Sequence, residues 1–390
     1  MIELTKVQLQ ASLGKLLEQE NGLTSVLEMT LNGLMHSERS NYLQQSTQNK
    51  GNGYRKAFAV GLGKQIELKI PRDRLGLFQP MVLALIRDQK QQLEDLSFEL
   101  YGNGLTTSQI GSVMKKIYGK HYSKQAISNI TSTFYNQMEL WRERSLDTTY
   151  LAVYIDAIHL KVRRGTVSSE AFYILLGVKE DYTREVIGIV NIPSESASGW
   201  QEVLLGIKQR GVEKIGLIIS DNLTGLDKVI PLVYRNTAHQ KCVVHLKRNI
   251  LNKVASKHKE EVTQDLKNVF DLDLSNDTVS KAFDRLDIFT DKWRKKYRHI
   301  GNLSYNEMNE LYFTYTNYHP KIRRMIYTTN WIERLNKEFR RTFKIRNSMP
   351  NYQSALTLLS KVAMDKEDGY MKYPIYKFKF DKKLNDLINN

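Results

Sequence analysis

From Tyr150 onward, apolar runs of strand length arrive in an order that leaves few folds open. Leu151-Ala152-Val153-Tyr154-Ile155 ends at Asp156, Ile158 to Arg163 continues the strand pattern, and Ala171 to Val178 and Glu185 to Ile192 read as two more strands. Three strands in succession predict an antiparallel meander. A helix follows from Ser198 to Gln209, then a strand from Ile215 to Ser220 ending at Asp221, a helix around Gly225 to Tyr234 and a strand through Lys241 to His245. The order βββαβαβ describes a mixed sheet with acids closing its first and fourth strands. If those strands are neighbours, Asp156 and Asp221 converge, and two close carboxylates call for a proton or a divalent cation between them.

A third acid lies far downstream, in Thr328-Thr329-Asn330-Trp331-Ile332-Glu333-Arg334-Leu335-Asn336-Lys337-Glu338-Phe339-Arg340-Arg341. Asn330 is a natural N-cap here, and Ile332, Leu335, Phe339 and Phe343 recur at helical steps as one apolar stripe. Glu333, Lys337, Arg340, Arg341 and Lys344 fall together on the flank away from that stripe. Taken alone, Glu333 and Lys337 are an (i, i+4) pair on a solvated face. Beside Asp156 and Asp221, a single carboxylate on a basic surface suits a polyanion next to a metal.

Charge points the same way. Lys and Arg number 58 against 42 Asp and Glu, a net charge of +16, which favours a polyanionic partner with nucleic acid as the leading candidate. With 390 residues and 41% apolar content, the chain is long enough for two or three folded domains. Cys242 is the only cysteine, so an intrachain disulfide is excluded and a reducing compartment is natural. No apolar run approaches the roughly 18 residues that span a bilayer. The expectation is a soluble cytoplasmic protein without a membrane partner.

Ahead of the sheet the chain reads as mainly helical. Leu13, Leu16, Leu17, Leu23, Val26, Leu27, Leu31 and Leu34 form a stripe within residues 1–50, and Gln44 to Gly53 reads as a loop. Tyr54 to Ile70 alternates as a small hairpin, with Phe58 and Val60 before a Gly61-Leu62-Gly63-Lys64 turn and Ile66, Leu68 and Ile70 after it. Pro71-Arg72-Asp73-Arg74 follows as a turn whose Arg72 and Arg74 are candidates for phosphate contact. Thr106 to Tyr118, a turn at Gly119 to Tyr122, and a helix capped by Ser123 that carries Phe134, Met138 and Trp141 make a helix-turn-helix candidate. Lys124, Gln125, Ser128 and Asn129 would lie on its exposed side, within reach of a major groove. Between Leu246 and Tyr327 the composition turns helical, basic and aromatic, including Asp291 to Arg298, whose aromatics either stack on bases or pack inward. Patterning weakens beyond Asp365.

Four ordered blocks carry a resemblance. Asp156-Ala-Ile-His-Leu-Lys-Val-Arg, Ile-Ser-Asp221-Asn-Leu-Thr-Gly-Leu, Cys242-Val-Val-His245-Leu-Lys-Arg-Asn and Thr-Thr-Asn-Trp-Ile-Glu333-Arg-Leu-Asn together resemble the Mutator-like family of bacterial insertion-sequence transposases. The resemblance implies an α/β, RNase H-like mixed-sheet catalytic domain in two parts, 149–245 and 328–390, separated by an all-α insertion at 246–327 and preceded by a DNA-binding region at 1–148. It implies Asp156, Asp221 and Glu333 as catalytic acids and metal ligands for two Mg²⁺ ions, with Mn²⁺ able to substitute, about 3.5–4 Å apart. It implies cleavage and strand transfer of double-stranded DNA at terminal inverted repeats, with target DNA as second substrate, and a homodimer on DNA. His159, Lys161, Arg163, His245, Arg248, Arg334, Lys337, Arg340, Arg341 and Lys344 are the further candidate DNA contacts. One departure is Asn222-Leu223-Thr224, where some members have a small residue and then His. Cys242 and His245 suggest zinc, but a structural zinc wants four ligands and no second cysteine exists, so they read as a structural or DNA-positioning pair. A site-specific binder that does not cut, and a structure-specific nuclease, are the alternatives on the same fold.

Overall fold

In the N-terminal part, a helix packs one face of a two-stranded hairpin, and side-chain alternation along the hairpin decides which residues it buries. A computed structural model of the chain describes residues 14–15, 17–44, 48–61, 64–118, 124–192, 195–274, 276–303 and 307–389. They divide into two units, 1–134 and 135–390. The first holds α1 (Gly22–Gln44), the antiparallel pair β1 (Gly51–Gly61) and β2 (Lys64–Asp73), α2 (Met81–Gly102) and α3 (Thr107–Tyr118); α4 (Lys124–Glu143) begins there and continues into the second. Ile66, Leu68 and Ile70 alternate inward from β2 onto Met35 of α1. Phe58 does the opposite of what its alternation predicts: it is 64% exposed, while Ala57 and Ala59 face the core. Register explains this, because Phe58 pairs with Glu67, and directly opposed residues share a face.

Two further N-terminal expectations change. Pro71 to Asp73 is the end of β2, not a turn, and Asp73 is buried, accepting bonds from Asn49 Nδ2 and the Leu77 and Phe78 amides. Those bonds, Asn49's foremost, hold the Asp73 carboxyl below its ordinary range. Leu17, Leu23 and Leu34 are exposed, so they build no core stripe within this chain; Leu13 and Leu16 lie outside the described residues. The turn between α3 and α4, with Ser123, also lies outside them.

The second unit is built on a five-stranded mixed sheet of β3 (Thr149–Arg164), β4 (Thr166–Lys179), β5 (Arg184–Asn191), β6 (Lys214–Ser220) and β7 (Ala238–Lys241), in the order β5-β4-β3-β6-β7. The first three are antiparallel, as the meander predicts, and β6 and β7 run parallel to β3. α5 (Ala197–Gln209) and α6 (Leu226–Val233) cover one face, where Trp200, Leu204, Leu226 and Ile230 meet Val153, Ile155, Tyr173 and Leu175. α7 (Val243–Asn252), α8 (Lys259–Val269), α9 (Val279–Trp293) and α10 (Pro320–Ile326) follow β7, and then come α11 (Asn330–Lys344), α12 (Tyr352–Asp368) and α13 (Lys382–Asn389). α11 lies against β3, and α12 against β3 and β5.

Here too the chain departs from its local pattern. The last strand ends at Lys241, and His245 belongs to a helix: Cys242-Val243-Val244 is an apolar run too short to separate strand from helix by period. Helix α11 begins at Asn330, with Thr329 in the cap position and no side-chain cap bond; Asn330 Oδ1 instead accepts from the Thr328 hydroxyl. In the Asp291 to Arg298 run the aromatics pack inward: Trp293 is buried with its indole N–H on Asp265, Lys292 is paired with Glu261 and Asp265, and the Tyr297 hydroxyl meets His258. The weakly patterned tail is ordered, with Met371, Phe378 and Leu384 buried and the Asp381 carboxylate accepting the His319 amide. Among the described residues no helix is long and apolar enough to cross a membrane.

Candidate active site

Parallel pairing of β3 with β6 sets Ile155 opposite Ser220, so the next residue of each strand, Asp156 and Asp221, falls at the same level of the sheet. Asp156 is 7% exposed. Its Oδ1 accepts the Ala157 amide at 2.8 Å and its Oδ2 accepts Asn336 Nδ2 at 2.7 Å. Burial, with the Asp221 charge second, pushes the Asp156 carboxyl up to about 6.

His245 links the second acid to the third. Its Nδ1 is in close contact with Asp221 Oδ1, and its Nε2 is 3.6 Å from Glu333 Oε1. Hydrogen bonding to Asp221, then to Cys242, raises the imidazole to about 10, so it is a cation at neutral pH. Helix α7 is fixed for this purpose at its start: the Cys242 amide donates to Ser220 O at 2.7 Å and the Val243 amide to Tyr327 O at 3.1 Å. Burial favours the neutral Cys242 thiol, but its bonds to His245 and Thr329 outweigh that and hold it below its ordinary value. Asp221, Cys242 and His245 place ligand atoms within 4.8 Å of one another. Among the described residues that group stops at three, one short of a structural zinc set.

Glu333 sits in the first turn of α11, partly exposed, and Asn336 one turn later is fully buried on the side facing Asp156. The loop after β6 shapes the other side. Leu223 is buried in the core, the Thr224 amide donates to Glu195 Oε2, and Gly225 has φ +83° where a Cβ would lie 2.7 Å from Ala197 N, so no side chain fits. Of the residues that depart from the family pattern, Leu223 therefore serves packing, while Asn222 and Thr224 are exposed.

The candidate DNA contacts separate into groups. Lys337, Arg340, Arg341, Lys344, Arg334 and Arg248 are exposed around the acids' helices, as are Arg72 and Arg74 on the first unit. His159, Lys161 and Arg163 are exposed too, but they alternate with buried Ile158, Leu160 and Val162 and so point to the opposite face of the sheet from Asp156. The side chains of Lys124, Gln125, Ser128 and Asn129 lie outside the described ones. The sequence pattern gives Asn336 no role and shows no bridge at His245. A signal for Asn336 was present: it is the polar residue beside the apolar positions Ile332, Leu335 and Phe339.

A sequence family described as "Transposase, Mutator family" matches residues 2–373. The transposase for insertion sequence element IS1201 of Lactobacillus helveticus is 34% identical over 352 residues, 88% of this chain and 94% of that protein. The transposase for IS256 in transposon Tn4001 of Staphylococcus aureus is 30% identical over 375 residues, 92% of this chain and 93% of that one. Among solved structures, the Drosophila P element transposase strand transfer complex aligns with TM-score 0.31 and 11% identity over 77% of this chain and 84% of that one, too slight a likeness to bear on the fold.

Proposed function

The chain belongs to the Mutator family of transposases, and from that premise we propose that it cuts and joins DNA at the terminal inverted repeats of an insertion sequence, with Asp156, Asp221 and Glu333 as its catalytic acids. One observation carries this reading. A single imidazole, His245, touches Asp221 through one nitrogen and approaches Glu333 through the other, while the Asp221 charge acts on Asp156. Three carboxylates from three separate segments thus gather around one point.

Their chemistry fits a divalent cation. All three offer hard oxygen donors, and the raised Asp156 carboxyl is partly the like-charge conflict that such a cation relieves. A pair of Mg²⁺ ions, or Mn²⁺ in their place, would activate the attacking oxygen and stabilise the leaving oxygen of an in-line displacement. The residues themselves hold the arrangement: Asn336 and the Ala157 amide orient Asp156, and the imidazolium of His245 offsets part of the acids' charge. In the first reaction water attacks phosphorus and a 3′-hydroxyl leaves. In the second that hydroxyl attacks another phosphodiester and displaces its 3′-oxygen as a new 3′-hydroxyl, joining the strands, so one site serves both.

Strand order supports an RNase H-like core, since β3 lies at the centre between its antiparallel neighbour β4 and its parallel neighbour β6. On this reading residues 149–245 and 328–390 form the catalytic domain, 246–327 its helical insertion, and 1–148 the region that recognises the repeats. The exposed cations of α11 lie along the DNA, and two copies act together because two ends must be joined.

The test is a cleavage and joining assay on duplexes carrying the element's terminal repeat. Wild-type chain with Mg²⁺ nicks and joins at the repeat boundary, and Glu333→Gln, Asp156→Asn and Asp221→Asn each lower the rate at least about 10³-fold, while repeat binding stays within about threefold. Equal loss of binding and cleavage in all three variants would assign the acids to folding, and tight binding without scission by the wild type would identify a non-cutting binder.

A further inference from the structure

Trp331 and Arg334, one turn apart on α11, line an open cavity of about 520 Å³ together with the tail segment carrying Tyr370, Tyr373, Tyr376 and Lys377. That volume lies in the roughly 300–1,000 Å³ range of small-molecule sites. Its walls are unusual in being both aromatic and cationic. The guanidinium of Arg184, from β5, stands 4.8 Å from the Trp331 ring and 5.4 Å from the Tyr370 ring, and Arg334 lies 4.6 Å from the Tyr370 ring. Arg184 is buried and anchored by Nη2 on the carbonyls of Tyr370 and Tyr373, yet its Nε has no hydrogen-bond partner, and the buried Tyr370 hydroxyl has none either. Buried donors left unpaired are costly, and both belong to residues that line this cavity. Tyr373 and Tyr376 are 64% and 61% exposed, large rings left in water with no core to complete.

Flat π-surfaces, flanking cations and unpaired polar atoms together describe a receptor for a flat, polar, anion-linked ligand, which is a nucleobase on its phosphate backbone. Position selects the source. Trp331 precedes Glu333 by two residues, about 3 Å of rise along α11 and on its opposite side, so the cavity lies about 10–12 Å, one helix width, from a strand held at the acids. We propose that this cavity receives one base unpaired from the DNA end whose bond is being cut, stacking it on Trp331 and the tail tyrosines. The proposal rests on the DNA-cutting reading of the acids. Drawing out one base distorts the duplex next to the scissile phosphate and holds that distortion by stacking.

The experiment places 2-aminopurine, one position at a time, across the boundary of the terminal repeat and follows its emission on binding of full-length chain. Emission changes at a single position with wild type and with Glu333→Gln, and does not change with Tyr373→Ala/Tyr376→Ala, whose exposed side chains leave the fold intact, as an unshifted melting temperature confirms. The same double variant, and Trp331→Ala, cut intact DNA about tenfold more slowly. A single abasic nucleotide at that one position restores their rate to within twofold of wild type, because no base then needs to be drawn out. The proposal is overturned if no position changes emission, if the change persists in the double variant, or if an abasic nucleotide rescues at every position equally. Cutting that survives Glu333→Gln would sink the catalytic reading instead, and the emission signal distinguishes the two because it needs no cleavage.

Discussion

At the scale of single residues, Asp156 and His245 are both held away from their ordinary protonation, and in the same direction. Asp156 rises from 3.8 to about 6 and His245 from 6.5 to about 10. A raised folded-state value means that the native chain keeps a proton the unfolded chain has lost. The Asp156 contribution is therefore full below pH 4 and lost as pH rises through 6; that of His245 is full below 6.5 and lost as pH rises through 10. Thermal melts from pH 4 to 10 without metal are expected to fall in those two windows. In Asp156→Asn the lower step disappears and stability at pH 8 rises by up to about 3 kcal/mol, since two units of pKa are worth that much. The replacement keeps an acceptor for the Ala157 amide and turns an amide towards Asn336, whose Oδ1 lacks a partner. An unchanged lower step in that variant would assign it to another group. Of this chemistry, the acids were legible in the chain because each closes an apolar run or opens a helix. The bridge through His245 was not, because it depends on the helical state of 243–252, and the Cys242-Val243-Val244 run is equally good in a strand.

At the scale of elements, the loop between β6 and α6 is the tightest joint beside the acids. Gly225 takes φ +83°, and a Cβ there would stand only 2.7 Å from the Ala197 nitrogen, so any side chain meets both a left-handed backbone and a steric wall. Gly225→Ala is expected to cost at least about 2 kcal/mol in urea unfolding, and a variant of wild-type stability would show that the loop shifts freely. Strand and helix positions from 149 to 234 followed from alternation and apolar period. Helix α11 followed from its stripe, with Ile332, Leu335, Phe339 and Phe343 all buried. The outward turn of Phe58 did not, because parity on β1 is set by pairing with β2 and not by β1 alone. The tail was illegible for a related reason: its turns are held by single contacts, such as the Ile375 amide on Tyr182 O, that leave no period in the sequence.

At the scale of the whole molecule, a net charge of +16 governs the encounter with DNA. Neutralising about 6–10 phosphates would lower affinity by about 10³–10⁵ between 50 and 200 mM salt. Repeat binding measured across that range by anisotropy is expected to follow this slope, and a flat response would remove phosphate contact as the main source of affinity. The charge, the succession of strands along the chain and the positions of the three candidate acids at the ends of apolar runs or the start of a helix were legible in the sequence itself, because each is a property of composition or of a local period. Only the tertiary structure decided that β3 sits beside β6, that a histidine stands between two of the acids, that Asn336 holds the third, and that Trp331 faces the tail across a cavity. Those are meetings of residues up to 180 positions apart, as Asn336 and Asp156 are. No local pattern encodes them, since they follow from which surfaces bury together once every element has formed.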